Sequence, residues 1–110
     1  MSEMRQTSVP GWFATETGLL YSENAGAHIG MRYANKDGYL QTSRRDGGKV
    51  IKYDVHVLVC EAWHGPRPEG MQVDHIDGIK SNNHPSNLEW VTQEENMRRS
   101  RGADGRLGPK

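Results

Sequence analysis

The sequence has one cysteine, one phenylalanine and no long apolar run. With Cys60 alone, no internal disulfide can form, and a structural zinc site built from several thiolates is excluded. No stretch approaches the roughly 20 apolar residues that span a bilayer. The start, MSEMRQTSVP, lacks the apolar centre of a signal peptide. No membrane association is therefore expected, and residence in the cytoplasm is. Apolar residues make up 34% of the 110, and glycines number 13. At this length that predicts one loop-rich domain with a modest core.

Net charge is missing too: 14 basic side chains balance 14 acidic ones. A zero balance by itself argues against a polyanionic partner, but the charges are unevenly placed. The end, MRRSRGADGRLGPK, sets Arg98, Arg99, Arg101, Arg106 and Lys110 against Asp104 alone. Arg44, Arg45, Lys49 and Lys52 form a second cluster. Local basic patches, rather than total charge, attract a phosphate backbone. On charge alone a solvated tail and a solvated hairpin would look the same.

The clearest local pattern is DVHVLVCEAWHGP. Val55, Leu58, Val59, Ala62 and Trp63 fall at i, i+3, i+4, i+7 and i+8, one apolar stripe on a helix. Asp54 suits the N-cap, Gly65 the position after the end, and Pro66 forbids continuation. Upstream, GYLQTSR and KVIKYDV alternate and are joined through Asp46-Gly47-Gly48, which predicts a hairpin. GLLYS, Gly18 to Ser22, reads as a short strand with Leu19 and Tyr21 on one side; residues 24–38 carry no clear signal. Downstream, Met71 and Val73 alternate into Asp74-His75, and Asp77-Gly78 opens a turn. The connection GIKSNNHPSN is too long for a tight hairpin, so side chains should pin it. Asn and Ser suit that task because they bond nearby backbone. LEWVT gives the return strand, and Thr92 with Glu95 forms a capping box for a helix from Gln93 that ends before Gly102. The expected fold is a small α+β domain: an N-terminal antiparallel hairpin against the Val55–Trp63 stripe, then a strand–loop–strand–helix unit over 71–101. Residues 1–17 and 102–110 are expected to be flexible flanks of a domain spanning 18–101.

That last unit crowds chemistry into a short space. Asp74 and His75 are adjacent at a strand end and point to opposite sides of the pleat. One can hold a metal while the other faces a substrate water. Asn96, in the first helical turn, can reach back with a second oxygen ligand. Two oxygen donors with open positions suit a hard cation, Mg²⁺ or Mn²⁺. A neutral imidazole beside a metal-held phosphate can serve as general base.

His75, Asn87 and Asn96, within HVLVCEAWHGPRPEGMQVDHIDGIKSNNHPSNLEWVTQEENM, resemble the HNH nuclease signature of phage and homing-type endonucleases, in the variant ending in Asn. The resemblance covers about Lys52 to Arg99. It implies a ββα-metal unit that cuts DNA with one divalent ion and leaves 5′-phosphate and 3′-hydroxyl ends. It implies His75 as general base, Asp74 and Asn96 as metal ligands, and Asn87 as the residue that pins the loop and holds His75. Mg²⁺ is the expected ion, though Mn²⁺ or another transition metal, Zn²⁺ included, could occupy the site. Double-stranded DNA is the expected partner, with Arg98, Arg99, Arg101, Lys80 and His84 meeting it. Family members often carry a basic residue after the helix histidine; here His56 is followed by Val57, which puts a phosphate contact from that helix in doubt.

Blander roles compete for other residues. Asp77 is assigned to the turn, Asn82 and Asn83 to loop pinning or exposure, and Trp63 and Trp90 to the core. His56, Cys60 and His64 repeat at four-residue spacing, a zinc-like row placed opposite the apolar stripe; for His56, support of the active-site region is the better use. Two rival readings are a DNA-binding or packaging module with a decayed site, and a protein-interaction scaffold. The first should have lost Asp74, His75 or Asn96, all of which are present. The second predicts no affinity for duplex DNA. A chain of 110 residues leaves little room for sequence readout, so specificity is low, or a partner or homodimer supplies it.

Overall fold

The computed structural model describes residues 3–101, with side chains through residue 97. The expected basic tail, 102–110, lies outside the described residues. Three antiparallel sheets and two helices make an α+β domain. The first sheet is a meander of β1 (Met4–Gln6), β2 (Trp12–Thr15), β3 (Leu20–Ser22) and β4 (Ala27–Ile29). The second joins β5 (Tyr33–Ala34), β6 (Leu40–Asp46) and β7 (Lys49–Asp54). Helix α1 (Val55–His64) follows, then β8 (Met71–His75) paired with β9 (Leu88–Thr92), and α2 (Gln93–Arg101).

Helix α1 is the centre of the core. Its stripe buries Val55, Leu58 and Val59 beside Val9, Trp12, Ala14 and Leu20 from the first sheet. Trp63 and Trp90 pack against this cluster and spend their indole N–H groups on backbone oxygens, of Ala14 (3.1 Å) and Gly65 (3.2 Å). The opposite side of α1 is covered as well. His56 is 8% exposed and Cys60 fully buried, because β8, β9 and the Pro85–Asn87 turn lie over that side. The expected position of this row, away from the core, is therefore corrected for His56 and Cys60, while His64 is exposed.

Two other expectations change. Residues 4–17 are not a loose flank but two strands and the turns that join them, and they contribute Val9, Trp12 and Ala14 to the core. The buried Thr7 is satisfied locally, its Oγ1 donating to Trp12 O (2.8 Å), and the exposed Gln6 ties the same turn, its Nε2 donating to Val9 O (2.8 Å). In β3 the buried side carries Leu20 and Ser22, while Leu19 is exposed. Asp54 sits at the N-cap of α1 but makes no side-chain cap bond. Its Oδ1 instead accepts from Gln41 Nε2 (2.7 Å), the residue paired with it across β6 and β7. A cross-strand partner wins over the helix end.

The hairpin and the last unit are as expected. Gly47 (φ 59°) and Gly48 (φ 86°) form a two-residue turn between Asp46 and Lys49, with both φ values positive as a primed turn requires. Thr92 N donates to Glu95 Oε1 (3.0 Å) and Glu95 N to Thr92 Oγ1 (3.1 Å), a reciprocal capping box at the start of α2. Among the described residues, no helix is long and apolar enough to cross a membrane.

Leu88 is 2% exposed and pairs with His75 across β8 and β9. Leu88→Ala is expected to lower the unfolding free energy by about 2–5 kcal/mol, the usual cost of a truncated core leucine. Urea denaturation measures it, and a loss under about 1 kcal/mol would mean that this edge of the core is loosely packed.

A candidate metal and catalytic cleft at the end of β8

Strand β8 delivers Asp74 and His75 to the edge of an open cleft of about 180 Å³. Tyr39, Gly78, Lys80 and Asn96 also line it. Asp74 and His75 are 8% and 6% exposed, so both polar side chains are held by their surroundings rather than by water. Asp74, His75, Lys80 and Asn96 from the sequence reading thus come together. His84 does not line the cleft. It is exposed and caps the Pro85–Asn87 turn, its Nδ1 accepting from Ser86 N (3.2 Å). The side chains of Arg98, Arg99 and Arg101 lie outside the described residues.

The loop between β8 and β9 is pinned by side chains. Asn87 Oδ1 accepts from Asp77 N (3.0 Å), while its Nδ2 donates to Asp77 Oδ1 (2.9 Å) and Asn82 O (2.9 Å). Asp77 Oδ2 accepts from Asn82 Nδ2 (2.8 Å), and these bonds hold its carboxyl below the usual carboxylate range. Asn87 therefore sits where a loop pin was expected, but it is not the residue bonded to His75. That residue is Asn83, 5% exposed, whose Oδ1 accepts from His75 Nε2 (2.8 Å). An amide oxygen can only accept, so His75 carries its proton on Nε2 and keeps the lone pair on Nδ1. The sequence assigned Asn83 to pinning or exposure; three Asn residues within six positions gave no signal to separate them.

An aromatic wall completes the site. The His56 ring stacks on Tyr39 (4.7 Å between centroids, 28°) and lies 5.2 Å from His75. Tyr39 is also 5.8 Å from His75, and Lys80 Nζ stands 5.0 Å over the Tyr39 ring while donating to Asp37 O (2.7 Å). Burial pushes His56 down to about 4, with His75 adding to the shift. Burial also lowers His75, against the opposing pull of its bond to Asn83 and of Asp74. Both rings are therefore neutral near pH 7.

These shifts have a stability consequence. A histidine with a folded pKa below its unfolded value binds more protons unfolded, so acid favours unfolding. The stability tied to His56 is complete above its unfolded pKa of about 6.5 and is lost as pH falls towards about 4. By about pH 4 that amounts to roughly 3 kcal/mol. Urea unfolding across this range measures it; a flat profile would place His56 in contact with water.

The zinc-like row on α1 is not a site. His64 Nε2 donates to Pro85 O (2.7 Å), and burial pushes the Cys60 thiol up to about 12. Among the described residues, no three His, Cys, Asp or Glu side chains converge to hold a metal ion. The cleft offers a different donor set, one carboxylate and one amide. That chemistry fits a hard ion that keeps most of its positions for water and phosphate oxygens, and does not fit a structural zinc.

Residues 53–98 match the family model described as HNH endonuclease. The DNA endonuclease I-HmuI of Bacillus phage SP01 is 40% identical over 87 residues, covering 76% of this chain and 47% of that protein. The uncharacterized HNH endonuclease L245 of Acanthamoeba polyphaga mimivirus is 30% identical over 86 residues, 78% of this chain and 26% of that one. A solved structure described as DNA binding and cleavage by the HNH homing endonuclease I-HmuI superposes with a TM-score of 0.77 at 34% identity. It covers 90% of this chain and 57% of the other. This chain spans about half the length of I-HmuI and a quarter of L245.

Proposed function

This chain belongs to the HNH endonuclease family, and we propose that it hydrolyses phosphodiester bonds of duplex DNA in the cleft at the end of β8. The observation that carries the proposal is the meeting of Asp74, His75 and Asn96 in one cleft, with His75 tied through Nε2 so that Nδ1 is its basic atom. Asp74 and Asn96 would hold a divalent ion, Mg²⁺ in the first place, through a carboxylate and an amide oxygen. When bound, the ion supplies positive charge beside the scissile phosphate.

The chain's own residues do the rest. His75 Nδ1 takes a proton from the attacking water as its oxygen bonds to phosphorus, and the bond from phosphorus to the 3′ oxygen breaks, the departing oxygen taking a proton from solvent. Asn83 keeps the imidazole in the tautomer that leaves Nδ1 free. Asn87 ties the loop on which Asn83 rides. Lys80, at the cleft edge, offers its ammonium to the phosphate. The products are a 5′-phosphate and a 3′-hydroxyl. Product-end analysis of a cleaved duplex tests this: ends that ligase rejoins without further treatment support it, and 3′-phosphate ends would reverse the direction of attack.

The β6–β7 hairpin supports a DNA path that starts at the cleft. Tyr39 lines the cleft one residue before β6, and Arg45, Lys49 and Lys52 are exposed along the two strands. Arg98, Arg99 and Arg101, whose side chains lie outside the described residues, are proposed from the sequence as further DNA contacts. Replacing Arg45, Lys49 and Lys52 with glutamine is expected to weaken binding to any duplex. The slope of log affinity against log salt should flatten by about 0.9 for each phosphate that is no longer neutralised. Filter binding over a salt series measures this, and an unchanged slope would turn the hairpin away from DNA.

A further inference from the structure

We infer that the turn between β2 and β3 is a buttress that aims His75, with Gly18 and Asn83 as its positioning residues. The inference rests on the reading of His75 as general base. It concerns a segment outside residues 53–98, the part matched to the family.

Gly18 is buried, with φ +93°. A Cβ placed on it would overlap the carbonyl carbon and oxygen of Asn83 and come within 2.6 Å of His84 N. All three are backbone atoms, so no side-chain rotation relieves the collision. The Gly18 backbone therefore stands directly against the peptide that follows Asn83. The turn that presents it is stiff. Thr15 N donates to Leu19 O (2.8 Å), Leu19 N to Thr15 Oγ1 (3.0 Å) and Gly18 N to Thr15 O (3.1 Å).

On the far side of that peptide, Asn83 is buried and holds His75 Nε2. The bonds among Asp77, Asn82 and Asn87 secure the outer side of the loop. On the inner side a hollow of about 100 Å³, lined by Thr17, Leu19, Ile29, Ser81 and Asn82, lies beside the Gly18 approach. Gly18 is thus where the first sheet sets the depth of the loop. A methyl group there drives the peptide outward, because ordinary van der Waals separation begins near 3.4 Å. Asn83 Oδ1 then leaves His75 Nε2, and the imidazole is released to turn or to move its proton to Nδ1.

The test compares two alanine substitutions at left-handed glycines. Gly18→Ala adds the collision; Gly26→Ala, at φ +65° with nothing within 4 Å, adds only the backbone penalty. Gly18→Ala is expected to lower kcat on duplex DNA roughly 10²-fold with KM unchanged, the scale of a small misplacement of a catalytic group. Gly26→Ala is expected to keep the wild-type kcat. Nitrogen-15 NMR of His75 at roughly pH 8, above the usual histidine pKa, gives a second readout that needs no cleavage. Wild type and Gly26→Ala should show the Nε2–H tautomer and Gly18→Ala a mixture. Should Gly18→Ala fail to fold, Asn83→Ala must show the same tautomer change and loss of kcat. A Gly18→Ala or Asn83→Ala protein with wild-type tautomer and kcat overturns the inference, as does Gly26→Ala matching Gly18→Ala. If wild type cuts no DNA but the tautomer responds to Gly18→Ala alone, the nuclease reading fails and the buttress stands.

Discussion

Replacing His75 with alanine is expected to lower the cleavage rate by about 10²–10⁴-fold, the range for loss of a general base, while DNA and metal binding stay close to wild type. In the proposed mechanism the imidazole acts on water only as the bond to phosphorus forms, so its loss falls on kcat rather than on affinity. The geometry supports this reading. Nε2 is committed to Asn83, leaving Nδ1 as the basic atom, and burial keeps the ring neutral near pH 7. The rate should climb with pH as His75 loses its proton, with a midpoint below the usual histidine pKa of about 6.5, because burial lowers that pKa. Single-turnover kinetics on a labelled duplex, beside a binding isotherm in the presence of calcium, separates the two quantities. A His75→Ala protein with tenfold weaker binding and an unchanged rate would move His75 from chemistry to DNA binding.

The second large effect is expected at Asp74. Among the described residues it is the one carboxylate lining the cleft, and it is 8% exposed. An alanine there removes the anionic donor and leaves a neutral amide, Asn96, as the remaining protein oxygen of the proposed pair. Divalent affinity should fall by about tenfold or more, the scale on which even the outer partners of metal ligands act, and cleavage should fall with it. Asn96→Ala should cost less, with excess Mn²⁺ restoring part of the rate, since a neutral donor contributes less than a charged one. Mn²⁺ titration followed by electron paramagnetic resonance measures the affinity directly. Wild-type Mn²⁺ binding in Asp74→Ala would place the ion elsewhere.

The second half of the domain was legible because its signals are local and redundant. α1 has a two-sided stop and a stripe of five apolar residues; α2 has a reciprocal cap that one four-residue window reveals. The first sheet was not legible. Its strands run three or four residues, too short for an alternating pattern, and its inward faces include Thr7, Thr15 and Ser22. Those hydroxyls look like surface residues until their bonds to nearby backbone are seen. The Asp54 cap failed for a non-local reason, since Gln41 reaches it only once β6 and β7 pair. That Asp74, His75 and Asn96 meet at one cleft could be expected in advance, because the strand end and the first helical turn that carry them are fixed by local signals. Asn83 could not, because what distinguishes it from Asn82 and Asn87 is burial under a turn some 65 residues earlier.

The most direct test of the cleft as a metal-dependent nuclease centre is the relaxation of supercoiled plasmid by the wild-type protein, with Mg²⁺ and again after excess chelator. The account predicts nicked or linear DNA with Mg²⁺ and none with chelator. Undiminished cleavage in chelator would contradict it, and so would intact plasmid with every divalent ion supplied.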